Sequence, residues 1–243
     1  MSSNFIIDFN ADIGEGIKNE EQLLPYLSSC NIACGGHYGD YDSMNKSIEN
    51  AKKHNLKIGA HPSFPDRKNF GRVVINISSN QLYNSLLNQV KNLNNILKEY
   101  GIKMHHIKPH GALYNLAVKD ETTSNVIIEV IKTFNQHTLL YAPSHSVLAK
   151  TAKKNNINVI AEAFADRRYN DDLSLVSRTY KNAVIHSETE VFKQVQNIIK
   201  NSYVTSITNK NIYIEAKTIC VHSDHENTLA ILKYLSNYLK LKK

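Results

Sequence analysis

Seven short runs of apolar, often β-branched residues punctuate the chain, at 5–9, 31–34, 56–60, 105–108, 138–142, 158–163 and 218–221, with segments of helical period between most of them. The clearest helix spans 81–100, where Leu82, Leu86, Val90, Leu93 and Leu97 recur at spacings of three and four. Segments 43–54, 124–134, 146–155, 188–200 and 226–239 read the same way, with Asp42-Ser43 and Ser187 as candidate N-caps. Strands alternating with helices predict a parallel sheet flanked by helices. No repeat, low-complexity block or Gly/Ser/Pro-rich linker divides the 243 residues, so a single domain is expected over 1–243.

Nearly every predicted strand runs directly into titratable residues. Strand one leads to Asp12 and Glu15, strand two to His37 and Asp40, and strand three to His61 and Asp66. Strand four leads to Lys108 and His110, strand six to Glu162, Asp166, Arg167 and Arg168, and strand seven to His222 and Asp224. Strand five is weaker, with Ser144 and His145. An open doubly wound sheet gathers its chemistry at one or two crevices. Polar groups at almost all strand ends suit a closed barrel instead, where those ends share one mouth. Seven strands then imply a distorted TIM-like α/β barrel; an open sheet is the competing architecture.

Composition narrows the function classes. With 42% hydrophobic residues and no long apolar run, no transmembrane helix is expected. MSSNFIIDFN lacks the pattern of a signal peptide. The three cysteines, Cys30, Cys34 and Cys220, form no disulfide framework and suit a cytoplasmic, reducing compartment. Cys34 and Cys220 have apolar neighbours and read as buried, inert thiols. The net charge of +7 is scattered, with no basic stripe interleaved with aromatics, so nucleic-acid binding is not expected. An anionic substrate or an acidic partner fits it better.

The candidate residues fall into constellations. FNADIGEG (9–16) puts Asn10, Asp12 and Glu15 beside Gly14 and Gly16, where a loop can approach a ligand closely. Two nearby carboxylates can serve as metal ligand plus base, or as a raised-pKa acid beside an ionised base. The bland alternative is a solvated turn capping the first helix. His37, His61, His110 and His222 each follow a different strand, and imidazole is both a general acid/base and a metal ligand. No HxxxH or HExxH spacing occurs, so metal ligands would have to converge from separate loops.

Lys108-Pro109-His110-Gly111 offers a lysine for the substrate carboxylate or an oxyanion, or else a solvated rim lysine. His105 and His106 lie within or before that strand, and one of them is expected to face the helices. In EAFADRRYNDDLSLVSR (162–178), Glu162, Asp166, Arg167 and Arg178 combine carboxylates with guanidiniums that fork onto carboxylate or phosphate. A surface ion-pair network is the alternative there. The segment from His61 to Arg72 carries two prolines and reads as a stiff wall over the mouth, with Phe64 and Phe70 packed beneath and Arg72 within reach of the substrate.

FNADIGEG, NIACGGHYGD, GAHPSFPDRKNFGR, IKPHGALYN, EAFADRRYNDDLSLVSR and TICVHSDHENTLAI together resemble, in order and spacing, the LamB/YcsF family. The resemblance covers about Phe5 to Leu232. Gly36 and Tyr38 depart from a commoner Phe and Ala around His37, and Ser223 and His225 from a commoner Gly and Asn around Asp224. The family implies a seven-stranded β/α barrel related to the glycoside hydrolase/deacetylase superfamily. It also implies the role of the A subunit in an ATP-dependent 5-oxoprolinase, which opens 5-oxoproline to glutamate together with partner subunits B and C.

On that reading Asp12, Glu15, His61, His110 and Asp166 are catalytic. Asn10, His37, Lys108, Glu162, Arg167 and Arg178 bind substrate. Asp12, His61, His110 and His222 are the candidate ligands of a divalent metal, as carboxylate and histidines are in related deacetylases. ATP is a co-substrate of the complex, although no GxxxxGK[ST] or G-x-G-x-x-G motif is present to hold it. A homo-oligomer is compatible with the sequence. Two alternatives remain open: a freestanding metal-dependent amidase or deacetylase, and a non-catalytic metabolite-binding barrel.

Overall fold

The computed structural model describes residues 6–18, 20–134, 137–224 and 227–241. In chain order its strands are β1 (Ile6–Ile13), β2 (Ser29–Ala33), β3 (Lys57–His61), β4 (His106–Ile107), β5 (Leu139–Ala142), β6 (Val159–Phe164), β7 (Tyr203–Thr205), β8 (Asn211–Tyr213), β9 (Thr218–Cys220) and β10 (Lys240–Leu241). The helices are α1 (Tyr41–Lys53), α2 (Ser79–Glu99), α3 (Gly111–Ala117), α4 (Glu121–Lys132), α5 (Val147–Lys154), α6 (Glu188–Asn201) and α7 (Thr228–Tyr238).

β1 to β6 and β9 form a closed, seven-stranded parallel barrel. β1 closes it, pairing with β2 on one side and with β9 on the other, where Asp8 lies opposite Thr218. The closed barrel, rather than the open sheet, is therefore the architecture. β10 adds to the outer flank of β1, and β7–β8 is a separate antiparallel hairpin. The hairpin, α3 and β10 have no counterpart among the sequence expectations. All three are short, and short segments carry little periodicity.

The strand and helix positions agree with the sequence reading to within a few residues, with two informative exceptions. β1 runs on to Ile13, so Asp12 is a strand residue, not part of a turn. Among the described residues no α-helix stands between β1 and β2; two 3₁₀ turns, Glu20–Gln22 and Leu24–Tyr26, lead to β2. The cap of α1 is Asp40 rather than Asp42-Ser43. Its carboxylate accepts from the Ser43 N–H at 2.9 Å, and the Ser43 hydroxyl reaches back to the Asp40 N–H at 2.8 Å. That capping role accounts for Asp40. Ser187 caps α6 as expected. Part of the expected helix 226–239 and the departure at His225 lie outside the described residues.

Alternation along β1 sorts its side chains. Phe9, Ala11 and Ile13 face the helices and join one continuous apolar layer with Ile32, Ile58, Ile107 and Ile219. The buried face of α2, Leu82, Leu86, Val90, Leu93 and Leu97, packs into the same layer. Each large side chain sealed there contributes roughly 1.5–3 kcal/mol. Asp8, Asn10 and Asp12 point the other way, into the barrel, where they meet Ser29, Asn31 and Thr218. A barrel of this kind ordinarily fills its interior with branched apolar side chains. Here the interior is polar, and buried polar groups are costly unless hydrogen-bonded.

Candidate active site

Lys108 forms the floor of the site. It is 2% exposed, and its ammonium lies 3.0 Å from Asp12 Oδ1, 3.1 Å from Glu162 Oε1, 3.3 Å from Asn10 Oδ1 and 3.1 Å from Cys220 Sγ. An ammonium has three donors, and these neighbours occupy them. Burial alone would lower the lysine's pKa, but Asp12 and Glu162 hold it well above its ordinary value, so it is charged. Lys108 is thus set beneath the mouth instead of on its rim.

Asn10 and Glu162 belong to the same floor. Asn10 Nδ2 donates to Glu162 Oε1 at 3.0 Å and to Thr218 Oγ1 at 2.9 Å, and the Tyr114 hydroxyl donates to Glu162 Oε2 at 2.8 Å. Asn31 Nδ2 donates to Asp12 Oδ1 at 2.7 Å and to Asn10 Oδ1 at 2.8 Å. His106 also points inward, 2.6 Å from Asn31 Oδ1, and stacks on Tyr141 at 3.8 Å; His105 reaches it Nδ1 to Nδ1 at 3.0 Å. Gly59 makes room for that ring, because a Cβ there would come within 2.2 Å of His106 Nε2. Cys220 is buried, which pushes its thiol well above the ordinary pKa, in keeping with an inert cysteine.

Above the floor, four buried groups converge. Gly14, at φ +73°, turns the chain after β1 so that Glu15 folds back over the mouth; a side chain at 14 would meet Ser47 Oγ at 2.9 Å. One donor atom from each of Glu15, His37, His61 and His110 lies within 4.8 Å of the others. Glu15 Oε1 is the hub, 2.9 Å from His37 Nε2, 3.5 Å from His110 Nδ1 and 3.8 Å from His61 Nε2. Asp12 Oδ2 joins from below at 3.3 Å from His61 Nε2.

Two backbone carbonyls fix the tautomers. His61 Nδ1 donates to the Lys108 carbonyl at 2.7 Å, and His110 Nε2 donates to the Phe70 carbonyl at 2.9 Å. In their neutral forms the opposite nitrogens, His61 Nε2 and His110 Nδ1, present lone pairs to each other at 3.0 Å. His37 Nδ1 is buried without a hydrogen-bond partner. Lone pairs facing one point, with the His61 and His110 rings anchored through their other nitrogens, are what a cation site requires. The donor set therefore fits a divalent metal, with Glu15 and His37 in place of the expected Asp12 and His222.

The electrostatics divide the two carboxyl groups. Burial opposes the Asp12 charge, but His61 and Lys108 outweigh it and hold Asp12 well below its ordinary pKa. Burial, reinforced by the Asp12 charge, raises Glu15 to about 7. Burial and the neighbouring His61 depress His37 to about 3, and burial with His61 and His37 also depresses His110. An ionised carboxylate thus sits beside a carboxyl poised near neutrality, the division that acid–base work needs.

His222 stands apart from this cluster. Asp166 accepts from its N–H at 3.1 Å and lies 2.9 Å from its Nδ1. Burial works against the Asp166 charge, yet His222 brings its pKa below the ordinary value. Arg167 turns inward and donates to the carbonyls of Val176 and Ala183, at 2.7 and 3.4 Å, so it ties down the long loop after β6. Arg168 makes an exposed pair with Glu190. Arg178 reaches the rim and holds Asp224 together with Arg72.

The wall from 61 to 72 is built as expected, with Phe64 buried. Phe70 is a site residue: its ring stands edge-on to His37 at 5.1 Å and to His110 at 5.6 Å, and its φ is +54°. A side chain at Gly36 would collide with Ser63 and Gln89, and the exposed ring of Tyr38 lies 6.4 Å from Phe70. Ser223 is buried with its hydroxyl unpartnered. Asn31, His106 and Tyr114 complete the site without having been singled out for it from sequence, and Asp224 joins it at the strand end where it was expected. For Asn31 the signal was present, as the alternation of polar and apolar residues in SCNIA parallels that in DFNADI.

The comparisons with known proteins agree with this geometry. The model of the LamB/YcsF family matches residues 7–243. The chain is 42% identical over 233 residues to the A subunit of 5-oxoprolinase from Bacillus cereus (strain AH187), covering 93% of this chain and 92% of that one. The lactam utilization protein of Thermus thermophilus superposes with a TM-score of 0.91 at 29% identity, covering 98% of this chain and 99% of its own. A GH18 chitinase from Pseudoalteromonas aurantia, at 10% identity and a TM-score of 0.53 over 96% of this chain and 100% of its own, shares the barrel fold alone.

Proposed function

We propose, from the premise that this chain belongs to the LamB/YcsF family, that it is the A subunit of an ATP-dependent 5-oxoprolinase. It converts 5-oxo-L-proline to L-glutamate together with partner subunits B and C. The name carried by the Bacillus cereus relative and the lactam utilization of the Thermus relative support this reading. The observation that carries it is the union of ionised Asp12, near-neutral Glu15 and three buried histidines at one barrel mouth. A purely metabolite-binding barrel has no use for carboxyl groups held so far apart in pKa.

The chemistry follows from the substrate. A lactam resists hydrolysis, and transfer of phosphate from ATP to the amide oxygen makes the ring carbon electrophilic. Water then adds, the tetrahedral intermediate collapses with cleavage of the C–N bond, and a second water hydrolyses the resulting γ-glutamyl phosphate to glutamate and inorganic phosphate. In this chain Asp12 accepts the proton of the attacking water and passes it to the leaving nitrogen, while Glu15 carries a proton near neutral pH only when no metal is bound. Asn10, Asn31, Lys108 and Glu162 hold Asp12 in place from below, and Asp166 does the same for His222. Glu15, His37, His61 and His110 would hold a divalent metal, which would act as a Lewis acid on oxygen. ATP is handled with the partners, since the glycine groups here match no phosphate-cradling loop.

The test is ATP-dependent glutamate release from 5-oxoproline by the purified chain, with and without subunits B and C. Release with the full set and none from the chain alone supports the reading. Release by the chain alone, without ATP and abolished by chelator, supports a freestanding metal-dependent amidase instead. No release from the full set contradicts 5-oxoprolinase activity.

A further inference from the structure

Two guanidiniums converge on one carboxylate at the edge of the mouth. Arg72 Nη2 lies 2.5 Å from Asp224 Oδ2, Arg178 Nη1 lies 2.9 Å from the same oxygen, and Arg178 Nη2 lies 3.3 Å from Oδ1. The three residues come from the segments after β3, β6 and β9, and β3 and β6 stand across the barrel from one another. Two positive charges against one negative leave the cluster cationic. The arginine side chains are 46% and 36% exposed, and Asp224 uses one N–H of Arg72 and two of Arg178. Each guanidinium has five such donors.

The cluster borders the reacting groups. The Arg72 guanidinium lies 5.1 Å above the Phe70 ring, which in turn walls His37 and His110. Asp224 follows His222 by two residues. The other cations expected to meet an acidic substrate are committed elsewhere, Lys108 to the floor and Arg167 to backbone carbonyls. In 5-oxoproline the carboxylate sits on the carbon next to the ring nitrogen, a few ångströms from the lactam carbonyl. A lactam held over Glu15 therefore projects its carboxylate toward the rim.

Resting on the reading that this mouth opens 5-oxoproline, we propose that Arg72 and Arg178 together receive the substrate's carboxylate. Asp224 is the positioning residue that keeps both guanidiniums aimed at one point. A planar fork matches a carboxylate bidentately, and the exposed face of the pair offers the donors that Asp224 leaves. This arrangement selects lactams that carry a carboxylate over those that do not.

The experiment compares calorimetric binding of 5-oxo-L-proline and of 2-pyrrolidinone, the same ring without the carboxylate, to the full chain assembled with subunits B and C. Wild type binds 5-oxoproline at least about tenfold more tightly. Arg72→Gln and Arg178→Gln each weaken 5-oxoproline roughly 10- to 100-fold, the range for a lost charge-assisted hydrogen bond, and leave 2-pyrrolidinone within about twofold. The retained 2-pyrrolidinone affinity reports an intact fold. If the variants keep the full preference for the carboxylate, or lose both ligands equally, the assignment of these arginines is overturned while the lactam reading stands. If wild type binds neither compound, the lactam reading fails and the arginine assignment falls with it.

Discussion

The ammonium of Lys108 lies 3.0 Å from the carboxylate of Asp12, sealed inside the barrel below the mouth. This pair sets the site's charge balance. With His61 it keeps Asp12 ionised despite its burial, and Glu15, three residues further along, is raised by its own burial and by that nearby negative charge.

Replacing Lys108 removes the partner of two buried carboxylates, Asp12 and Glu162. Breaking a buried pair from one side costs about 3–5 kcal/mol. Lys108→Met is expected to lower the melting temperature by on the order of 10 °C. Calorimetry of the variant checks this, and an unchanged melting temperature would mean that the floor does not depend on the ammonium.

Gly59 faces the His106 ring at a distance that admits no Cβ. His106 is locked in turn by Tyr141 on its face and Asn31 at its edge. Gly59→Ala is expected to destabilise the fold by about 1–3 kcal/mol, as overpacking does, with urea midpoints as the measure. An alanine tolerated without loss would show that the His106 stack can move.

Much of this was legible in the sequence, for a physical reason. Closing a parallel barrel puts every strand's C-terminal end at one mouth, so residues far apart in sequence meet once the strands are counted. Asp12, Glu15, His37, His61 and His110 came together that way. Depth was harder to read. Lys108, Asn10 and Glu162 follow or occupy strands just as the mouth residues do, and only the inward-pointing polar alternation of DFNADI and SCNIA distinguishes a floor from a rim. Arg167 and His222 were misplaced for a different reason. A side chain on a long loop can turn toward backbone carbonyls or toward a neighbouring carboxylate, and spacing along the chain does not record which.

The lone-pair geometry of His61 and His110 predicts metal content. Purified protein analysed by mass spectrometry is expected to carry a single divalent ion per chain. His61→Ala and Glu15→Gln are expected to lose it, while His222→Ala retains it because His222 is engaged by Asp166. Loss in His222→Ala with retention in Glu15→Gln would restore the ligand set expected from sequence.

Glu15 should also leave a mark on stability in metal-stripped protein. Its carboxyl is raised by burial and by the Asp12 charge from 4.5 to about 7, so between those values the folded state holds a proton that the unfolded chain releases. The contribution is complete below about 4.5 and is lost as pH rises through about 7. Urea unfolding at pH 5 and pH 8 is therefore expected to show wild type losing more stability than Glu15→Gln between the two. Equal losses would contradict the raised value.

Whether the reaction runs at this barrel mouth is decided by the rate of ATP-dependent glutamate release from 5-oxoproline by the assembled complex, with wild-type chain and with Asp12→Asn. Assembly is verified for both by size-exclusion chromatography. Wild type is expected to release glutamate, and the assembled variant to lose at least about 10²-fold in rate, the contribution of a positioned general base. An assembled Asp12→Asn complex that turns over at the wild-type rate would place the chemistry elsewhere.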